Sequence, residues 1–409
     1  MSPACRGCGA ALTTTFADLG SSPPSNAYLR EDDLRRGERW FPLHAWVCDR
    51  CFLVQLEAFQ EPAEIFGDYA YFSSYSDTWL AHARDYAETM LRENAVGAGE
   101  LVVELASNDG YLLAEFQARG ARVLGVEPAT NVAAVASERG IETVNAFFGE
   151  RLARELVADG RVPRLVAANN VLAQVPDLND FVAGVPIILK PEGHATFEFP
   201  HLQRLIAGNQ FDTIYHEHFS YFSLLTAERV FAAHGLRIYD VEELWTHGGS
   251  LRIYVCHAGA AQPTAPSVAR LIAAEREAGL ADLCAFAAFG ERVKETKRKL
   301  LDFLIGAKRA RKSVAGYGAP GKGNTLLNYC GIRTDFLDYT VDRNPYKHGK
   351  FLPGTHIPVL PPERIAETRP DYLLVLPWNF KDEIIEQMGF IRRWGGKFVL
   401  PIPEVTVHP

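Results

Sequence analysis

The sequence predicts an α/β fold in three parts: a small zinc-binding module followed by two Rossmann-like domains in series. Three observations predict it. Cysteines occur as two C-x-x-C pairs near the start, Cys5 with Cys8 and Cys48 with Cys51. From Glu100, short β-branched runs alternate with helical stretches. From Ser313 the same alternation begins again after a long charged helical segment. Repeating strand–helix units imply parallel sheets covered by helices on both faces. The 409 residues leave room for several cores, and 47% apolar with 22% charged residues is ordinary for a globular chain.

The first part is expected over residues 1–68. Two C-x-x-C pairs, "ACRGCGA" and "VCDRCFL", offer four thiolates to one tetrahedral zinc. Two disulfides or unrelated thiols are the alternatives. No charged-then-apolar leader pattern opens the sequence, so the cytosol is the expected compartment and disulfides are disfavoured. A closed four-cysteine site has no open coordination position, so this zinc would fold the module and not catalyse. The turn-rich stretch between the pairs reads as a loop plus a β-hairpin. Cys256, Cys284 and Cys330 sit in apolar contexts and read as buried small hydrophobes.

The second part is expected over 69–262. An aromatic–serine cluster, "YAYFSSYS", leads into a helix from about Asp77. "LVVELASNDG" then puts Glu104 inside a strand and Asp109-Gly110 at the turn into a helix. A glycine-bearing turn at a helix N-terminus lets a ligand approach the backbone. Glu127 follows the second strand, where an acid can accept both ribose hydroxyls of a nucleoside. A dinucleotide fold would want G-x-G-x-x-G in the first loop, and only Gly110 is present. S-adenosylmethionine carries no phosphate and needs no such close approach, so it is favoured over NAD. A solvent-facing strand end is the plain alternative for Glu127.

Further along, "FDTIYHEHFSYFS" brings Tyr215, His216, Glu217, His218 and Tyr221 together, shortly after Glu198 and His201. In an extended segment His216 and His218 would share one face, with Tyr215 and Glu217 on the other. Histidine is the usual general base near neutral pH, and a buried tyrosine can donate to a developing oxyanion. A structural cluster and a second metal site are the alternatives. His247, before two glycines, marks a tight turn that can face the same pocket.

Residues 263–311 read as one or two long connecting helices, whose final basic cluster is a solvated last turn. In the last part, 312–409, "GYGAPGKGN" offers Gly316, Gly318, Gly321, Lys322 and Gly323. Its backbone N–H groups and Lys322 are candidates to hold a diphosphate. A fold relic, with glycines packing helix on strand, is the alternative, and Asp342 could mimic a ribose-binding acid. A net charge of −8 argues against nucleic acid as the main partner. No apolar run reaches the ~18 residues a membrane span needs.

The paired C-x-x-C module, "SNDG", "GVEP", "YHEHFSYFS", "HGGSLR" and "GYGAPGKGN" with "NYCGI" and "PGTHIPV" are shared motifs. Through them the chain resembles, over essentially its full length, the bacterial C-methyltransferases of nucleotide-linked deoxysugars in antibiotic biosynthesis. The resemblance implies a zinc-binding domain, a class I methyltransferase domain that binds S-adenosylmethionine, and a C-terminal Rossmann-like domain. It implies methylation of a carbon beside the ketone of a dTDP-linked keto sugar by a monomeric enzyme.

Carried over residue by residue, the family's Tyr-x-Glu-His motif falls on Tyr215 (enolate stabiliser), Glu217 (orienting the histidine or binding substrate) and His218 (base). Tyr71 is the expected lid contact. Glu104, Ser107, Asn108, Asp109, Gly110, Glu127, Pro128, Phe147, Asn169 and Asn170 are the expected cofactor contacts. His216, His247, Gly318, Lys322 and Glu198 are the expected substrate contacts. Two departures stand out. Gln174 takes the place of a frequent family histidine and cannot titrate. Ala146 stands where an acid often meets the cofactor's adenine, leaving the Phe147 backbone to serve. A non-sugar acceptor, an NAD-dependent oxidoreductase acting through the C-terminal loop, and a nucleic-acid- or protein-binding zinc protein are the competing readings.

Overall fold

The computed structural model describes residues 3–66, 74, 77–93, 96–97 and 99–409. Among them three sheets account for the architecture. The first is four-stranded, in the order Thr14–Ser22, Phe41–Val47, Val54–Leu56, Ser220–Tyr221. Its first three strands form an antiparallel meander, the hairpin the sequence suggests. The fourth arrives from far along the chain, pairing Tyr221 with Val54 and Ser220 with Gln55.

The central sheet has seven strands. Numbered in chain order from Leu101–Leu105, they lie 3-2-1-4-5-7-6, and only the seventh, Ser250–His257, runs against its neighbours. Every residue of Leu101–Leu105 is buried, as expected of a parallel strand covered on both faces. The helix Asp77–Glu93 supplies part of that cover. Ala83, Tyr86, Ala87 and Met90, spaced as one helical face, lie in the same core as Val102 and Leu165. The third sheet is six-stranded, parallel except for its last strand, Thr406–His408.

The expected connecting stretch contains two helices, Pro266–Glu277 and Cys284–Arg309. The longer one buries Phe286, Phe289, Val293, Thr296, Leu300, Leu304 and Ala307 at three- and four-residue spacing. Phe289 stacks on Phe16 of the first sheet at 4.5 Å. One continuous core joins that sheet, this helix and the C-terminal sheet, while Cys5, Cys48 and Leu53 belong to the core of the central sheet. The N-terminal module is thus wedged between the two larger units.

Cys256 and Cys330 are buried as expected. Cys284 is exposed at the start of its helix, because the apolar face begins at Phe286. Among the described residues no helix is long and apolar enough to cross a membrane.

Candidate active site

A cavity of about 880 Å³ opens at the carboxyl ends of the central sheet's parallel strands, where open α/β folds bind ligands. Asn108 and Glu127, just beyond two adjacent strands, and Asn169, the last residue of a third, line one wall. Tyr215, Glu217, His218 and His247 line another. The C-terminal sheet contributes Pro320–Lys322, Lys347 and Asn379, and the N-terminal module contributes Asn26 and Tyr28.

The wall at the strand ends is built by backbone strain and one carboxylate. Ala106, Asn108 and Gly110 all adopt positive φ in the loop after Leu105, and asparagine and glycine tolerate that conformation best. Glu127 fastens the loop: Oε2 accepts from Asn108 N and Oε1 from Ala129 N, both at 2.8 Å. Burial pushes its carboxyl above the usual range, partly offset by these two N–H groups. Asn169 Oδ1 is buried beside the cavity with no partner among the described residues. Such an orphan acceptor calls for a donor. A strand-end carboxylate, an unpaired amide oxygen and a loop with one glycine fit S-adenosylmethionine better than a pyrophosphate. Pro128, Ala146, Phe147, Asn170 and Gln174 also line this region.

Four expected cofactor contacts do not reach the cavity. Glu104 alternates onto the face of Val102, beneath helices, and is 1% exposed. Burial there, with Glu127 and Asp109 nearby, holds its carboxyl well above its ordinary range. Ser107 packs under Gly125, where an added Cβ would lie 2.4 Å from its Oγ. Asp109 is buried, bonded to Ser74 and 3.2 Å from the Arg139 guanidinium. Gly110 (φ 77°) starts the helix Tyr111–Gln117, and a Cβ there would press on Ile141 at 3.0 Å. These residues shape the loop from behind.

On the acceptor side the expected strand alternation is wrong. His218 N donates to Tyr215 O at 2.8 Å, closing a turn over 215–218. The turn brings Tyr215, Glu217 and His218 to the cavity together and sends His216 away. His216 Nε2 donates to Pro42 O at 3.1 Å, with its ring edge-on to Phe41. It is a structural residue and not a substrate contact.

His218 Nδ1 lies 3.1 Å from Thr213 O. A carbonyl can only accept, so Nδ1 carries the hydrogen and Nε2 is bare. Burial, with Lys322 and His247 nearby, pushes this imidazole down to about 3, and burial takes His247 to about 4. Glu217 goes the other way. It is 5% exposed, burial raises its carboxyl to about 7, and Asn26 Nδ2 donates to its Oε1 at 2.7 Å. Glu217 is bonded to Asn26, and the Thr213 carbonyl, not Glu217, orients His218.

Lys322 Nζ donates to Asn379 Oδ1 at 3.0 Å and sits 4.8 Å from the Trp378 ring. Burial lowers its pKa, opposed by Asp212. Gly318 does not line the cavity. At φ 87° it packs on Pro377, whose Cδ an added Cβ would meet at 2.5 Å. Glu198 is also removed from the substrate set, being fully buried against Arg252 and His82, both at 2.9 Å. Burial alone would raise its carboxyl, but His82 and Arg252 prevail and hold it below the ordinary range. Asp342 accepts from Ala319 N at 2.7 Å and Asn344 N at 2.8 Å and pairs with Lys347 at 3.2 Å. It serves its own loop, which removes the main support for a dinucleotide in the C-terminal sheet. Tyr71 lies outside the described residues.

Asn26, Tyr28, Trp79 and Lys347 were not anticipated. Only the turn signal in "PPSNAY" pointed to the first two, and nothing local tied it to a cavity.

The four cysteine sulfurs lie within 4.8 Å of one another. Cys5 and Cys51 are 3.5 Å apart, and Cys8 and Cys48 3.6 Å. These gaps far exceed a disulfide's ~2.05 Å and suit a tetrahedron with Zn–S of ~2.3 Å. Gln55 Nε2 donates to Cys5 Sγ at 3.1 Å, an outer contact of the kind that orients metal ligands. The donor set fits a structural zinc.

Comparison with known proteins shows the family. Family models described as "Putative zinc binding domain", "Methyltransferase domain" and "C-methyltransferase C-terminal domain" match residues 5–66, 80–241 and 245–403. C-methyltransferase NovU of Streptomyces niveus is 38% identical over 403 residues, 98% of this chain and 96% of that protein. Among solved structures, magnesium protoporphyrin IX methyltransferase of Synechocystis PCC 6803 with bound SAM is 13% identical. It covers 48% of this chain and 88% of its own, with TM-score 0.35. The PH0226 protein of Pyrococcus horikoshii OT3 is 16% identical and covers 49% of this chain and 99% of its own, with TM-score 0.37. The chain belongs to the C-methyltransferase family and is an S-adenosylmethionine-dependent enzyme.

Proposed function

We propose that the enzyme methylates the carbon beside the ketone of a dTDP-linked keto-deoxysugar. The observation that carries this reading is the convergence of the Tyr215–His218 turn with Lys322 and Lys347 in one cavity. The turn offers acid–base groups for an enolisable carbon. The two ammonium groups suit a diphosphate, on which a compact point charge is effective. In the division of labour proposed, 1–68 binds zinc and walls the site, 69–262 holds the cofactor, 263–311 connects, and 312–409 holds the nucleotide.

A proton on a carbon next to a carbonyl is acidic because its electron pair moves onto oxygen as the enolate. Glu217 is assigned the role of base in preference to His218. A base works best with a pKa near the operating pH, and Glu217 stands at about 7 against about 3 for His218. Tyr215 donates to the enolate oxygen. The bare Nε2 of His218 accepts a hydrogen bond from a sugar hydroxyl. Glu127, Asn169 and the Asn108 loop would hold S-adenosylmethionine, which would supply an electrophilic methyl group and keep the S–CH3 electron pair on sulfur. Holding both reactants in one pocket is worth up to ~7–11 kcal/mol when alignment is ideal.

The test is incubation with S-adenosylmethionine and a dTDP-linked 4-keto-deoxysugar, followed by mass spectrometry and carbon NMR. The expected product is heavier by one methylene, carried on the carbon beside the ketone. Methylation at oxygen, or turnover only of ketones that lack the nucleotide, would overturn the reading.

A further inference from the structure

Glu217 is the buried carboxyl on which the proposed chemistry turns, yet its hydrogen-bond partner comes from the far end of the chain. We propose that Asn26, in the cysteine-bearing module, is a positioning residue for the methylation: its side-chain amide holds the Glu217 carboxylate toward the cavity. The inference rests on the role given to Glu217 above.

The geometry is specific. Asn26 Nδ2 donates to Glu217 Oε1 at 2.7 Å across 191 residues of sequence, and both residues line the cavity. A charge-assisted bond of this length is among the stronger kinds. Asn26 itself is clamped. Asn324 Nδ2 donates to the neighbouring Ser25 O at 2.6 Å. Tyr28 N donates to Asn26 O at 2.9 Å, and Leu29 and Phe351 exchange backbone hydrogen bonds at 3.0 and 2.8 Å. The Tyr28 hydroxyl donates to Ala319 O. A Cβ on Gly321 would stand 3.3 Å from Ser25 Cβ, so the C-terminal glycine loop admits the segment closely. The Glu217 side is equally fixed, since its turn runs into Ser220–Tyr221, which pairs with Val54 and Gln55 beside the cysteines.

Tyr28 is close to Glu217 and also to Lys347 and Asp342, and Tyr215 and His218 belong to the turn of Glu217. Burial raises Tyr28 above 10, and neighbouring negative groups raise Lys347 above 10.5 despite its burial. His218 at about 3 and His247 at about 4 stay neutral. These four keep their charge between pH 5 and 9. Asp212, raised by burial to about 6, is held by Trp378 and faces Lys322. An acid limb that follows substitution at position 26 therefore reports Glu217.

The experiment compares Asn26→Gln, Asn26→Ala, Asn26→Asp and Glu217→Gln in the full-length, metal-loaded enzyme, measuring kcat, KM, pH–rate profile and zinc content. Loss of a hydrogen bond to a charged group lowers kcat roughly 10- to 100-fold in Asn26→Ala. Its acid limb moves up by about one pH unit, since the carboxylate loses its donor. Asn26→Asp moves the limb further, Asn26→Gln moves it least, and zinc content is unchanged throughout. Adding Asn26→Ala to Glu217→Gln costs nothing more. An inactive Glu217→Gln together with an unmoved limb in Asn26→Ala overturns the inference alone. A fully active Glu217→Gln removes the role given to Glu217, and the inference falls with it.

Discussion

The Nδ1–H of His218 donates to the carbonyl oxygen of Thr213 at 3.1 Å, within a buried pocket that keeps the ring neutral. This one contact sets the tautomer and aims a bare Nε2 at the cavity. Two residues of one turn thereby acquire different chemistry. Near neutral pH burial leaves His218 uncharged, with Nε2 able to accept a hydrogen bond, while the Glu217 carboxyl is the group of the two that titrates, at about 7.

The pH–rate profile is the first test of this division. Activity should rise through about pH 7 as Glu217 ionises, with no limb from His218 at about 3 or His247 at about 4. Glu217→Gln should lower kcat by roughly 10²- to 10⁴-fold and abolish solvent deuterium exchange at the substrate's reactive carbon. His218→Ala should cut turnover while leaving the limb near 7 and cofactor affinity intact. The raised carboxyl also costs stability. The folded state binds this proton more tightly than the unfolded chain, so stability falls as pH rises from 4.5 through about 7. Glu217→Gln should therefore be more stable than the parent at pH 8, by about 1–3 kcal/mol, and indistinguishable at pH 4. Denaturant melts at the two pH values measure it.

Glu198 behaves as a keystone of the central sheet. Its carboxylate holds Arg252 and His82, and Thr246 Oγ1 donates to it at 3.0 Å. Arg252 also lies over the Tyr86 ring at 4.5 Å. Glu198→Ala leaves the buried Arg252 guanidinium with only the half-exposed Glu242 carboxylate, 3.1 Å away, and should cost up to about 3–5 kcal/mol. Thermal melts should fall, with KM for substrate unchanged in whatever folded protein remains. A raised KM without a loss of stability would return Glu198 to the substrate set.

Zinc removal should act at two distances. Cys48→Ser should release the metal and melt the N-terminal sheet. Because Val54 and Gln55 pair with the strand that follows the His218 turn, turnover should fall as well. Metal analysis and activity before and after chelation check this, and full activity in metal-free protein would contradict it.

The C-terminal loop should separate into packing and binding residues. Gly318→Ala meets both a positive φ and the Pro377 ring, so it should destabilise by about 1–3 kcal/mol. Lys322→Ala should raise KM for the nucleotide-linked substrate while leaving S-adenosylmethionine affinity unchanged. Calorimetry with dTDP and with S-adenosylmethionine distinguishes the two effects.

Much of this was readable in the residues themselves. The C-x-x-C spacing announced the four-sulfur cluster, because two close pairs are what one tetrahedral ion requires. Alternating strands and helices announced the parallel sheets, because burial on both faces leaves a continuous apolar signature. Glu127 after its strand pointed to the cavity wall for a similarly local reason. Glu104, Ser107 and Asp109 were misassigned because sequence adjacency to a ligand loop does not say which side of it a side chain occupies. His216 was misassigned because strand alternation was assumed where a turn forms.

What the linear sequence determined was therefore what depends on near neighbours: metal-ligand spacing, strand–helix periodicity and the chemistry gathered in the Tyr215–His218 stretch. What only the tertiary structure decided was which of those groups meet, and in what charge state. Asn26 reaches Glu217 across 191 residues, and no local pattern encodes such a contact. The opposite shifts of Glu217 and His218 come from the same burial, because exclusion of water penalises whichever form is charged. Burial is a property of the packed molecule, not of the residues taken in order.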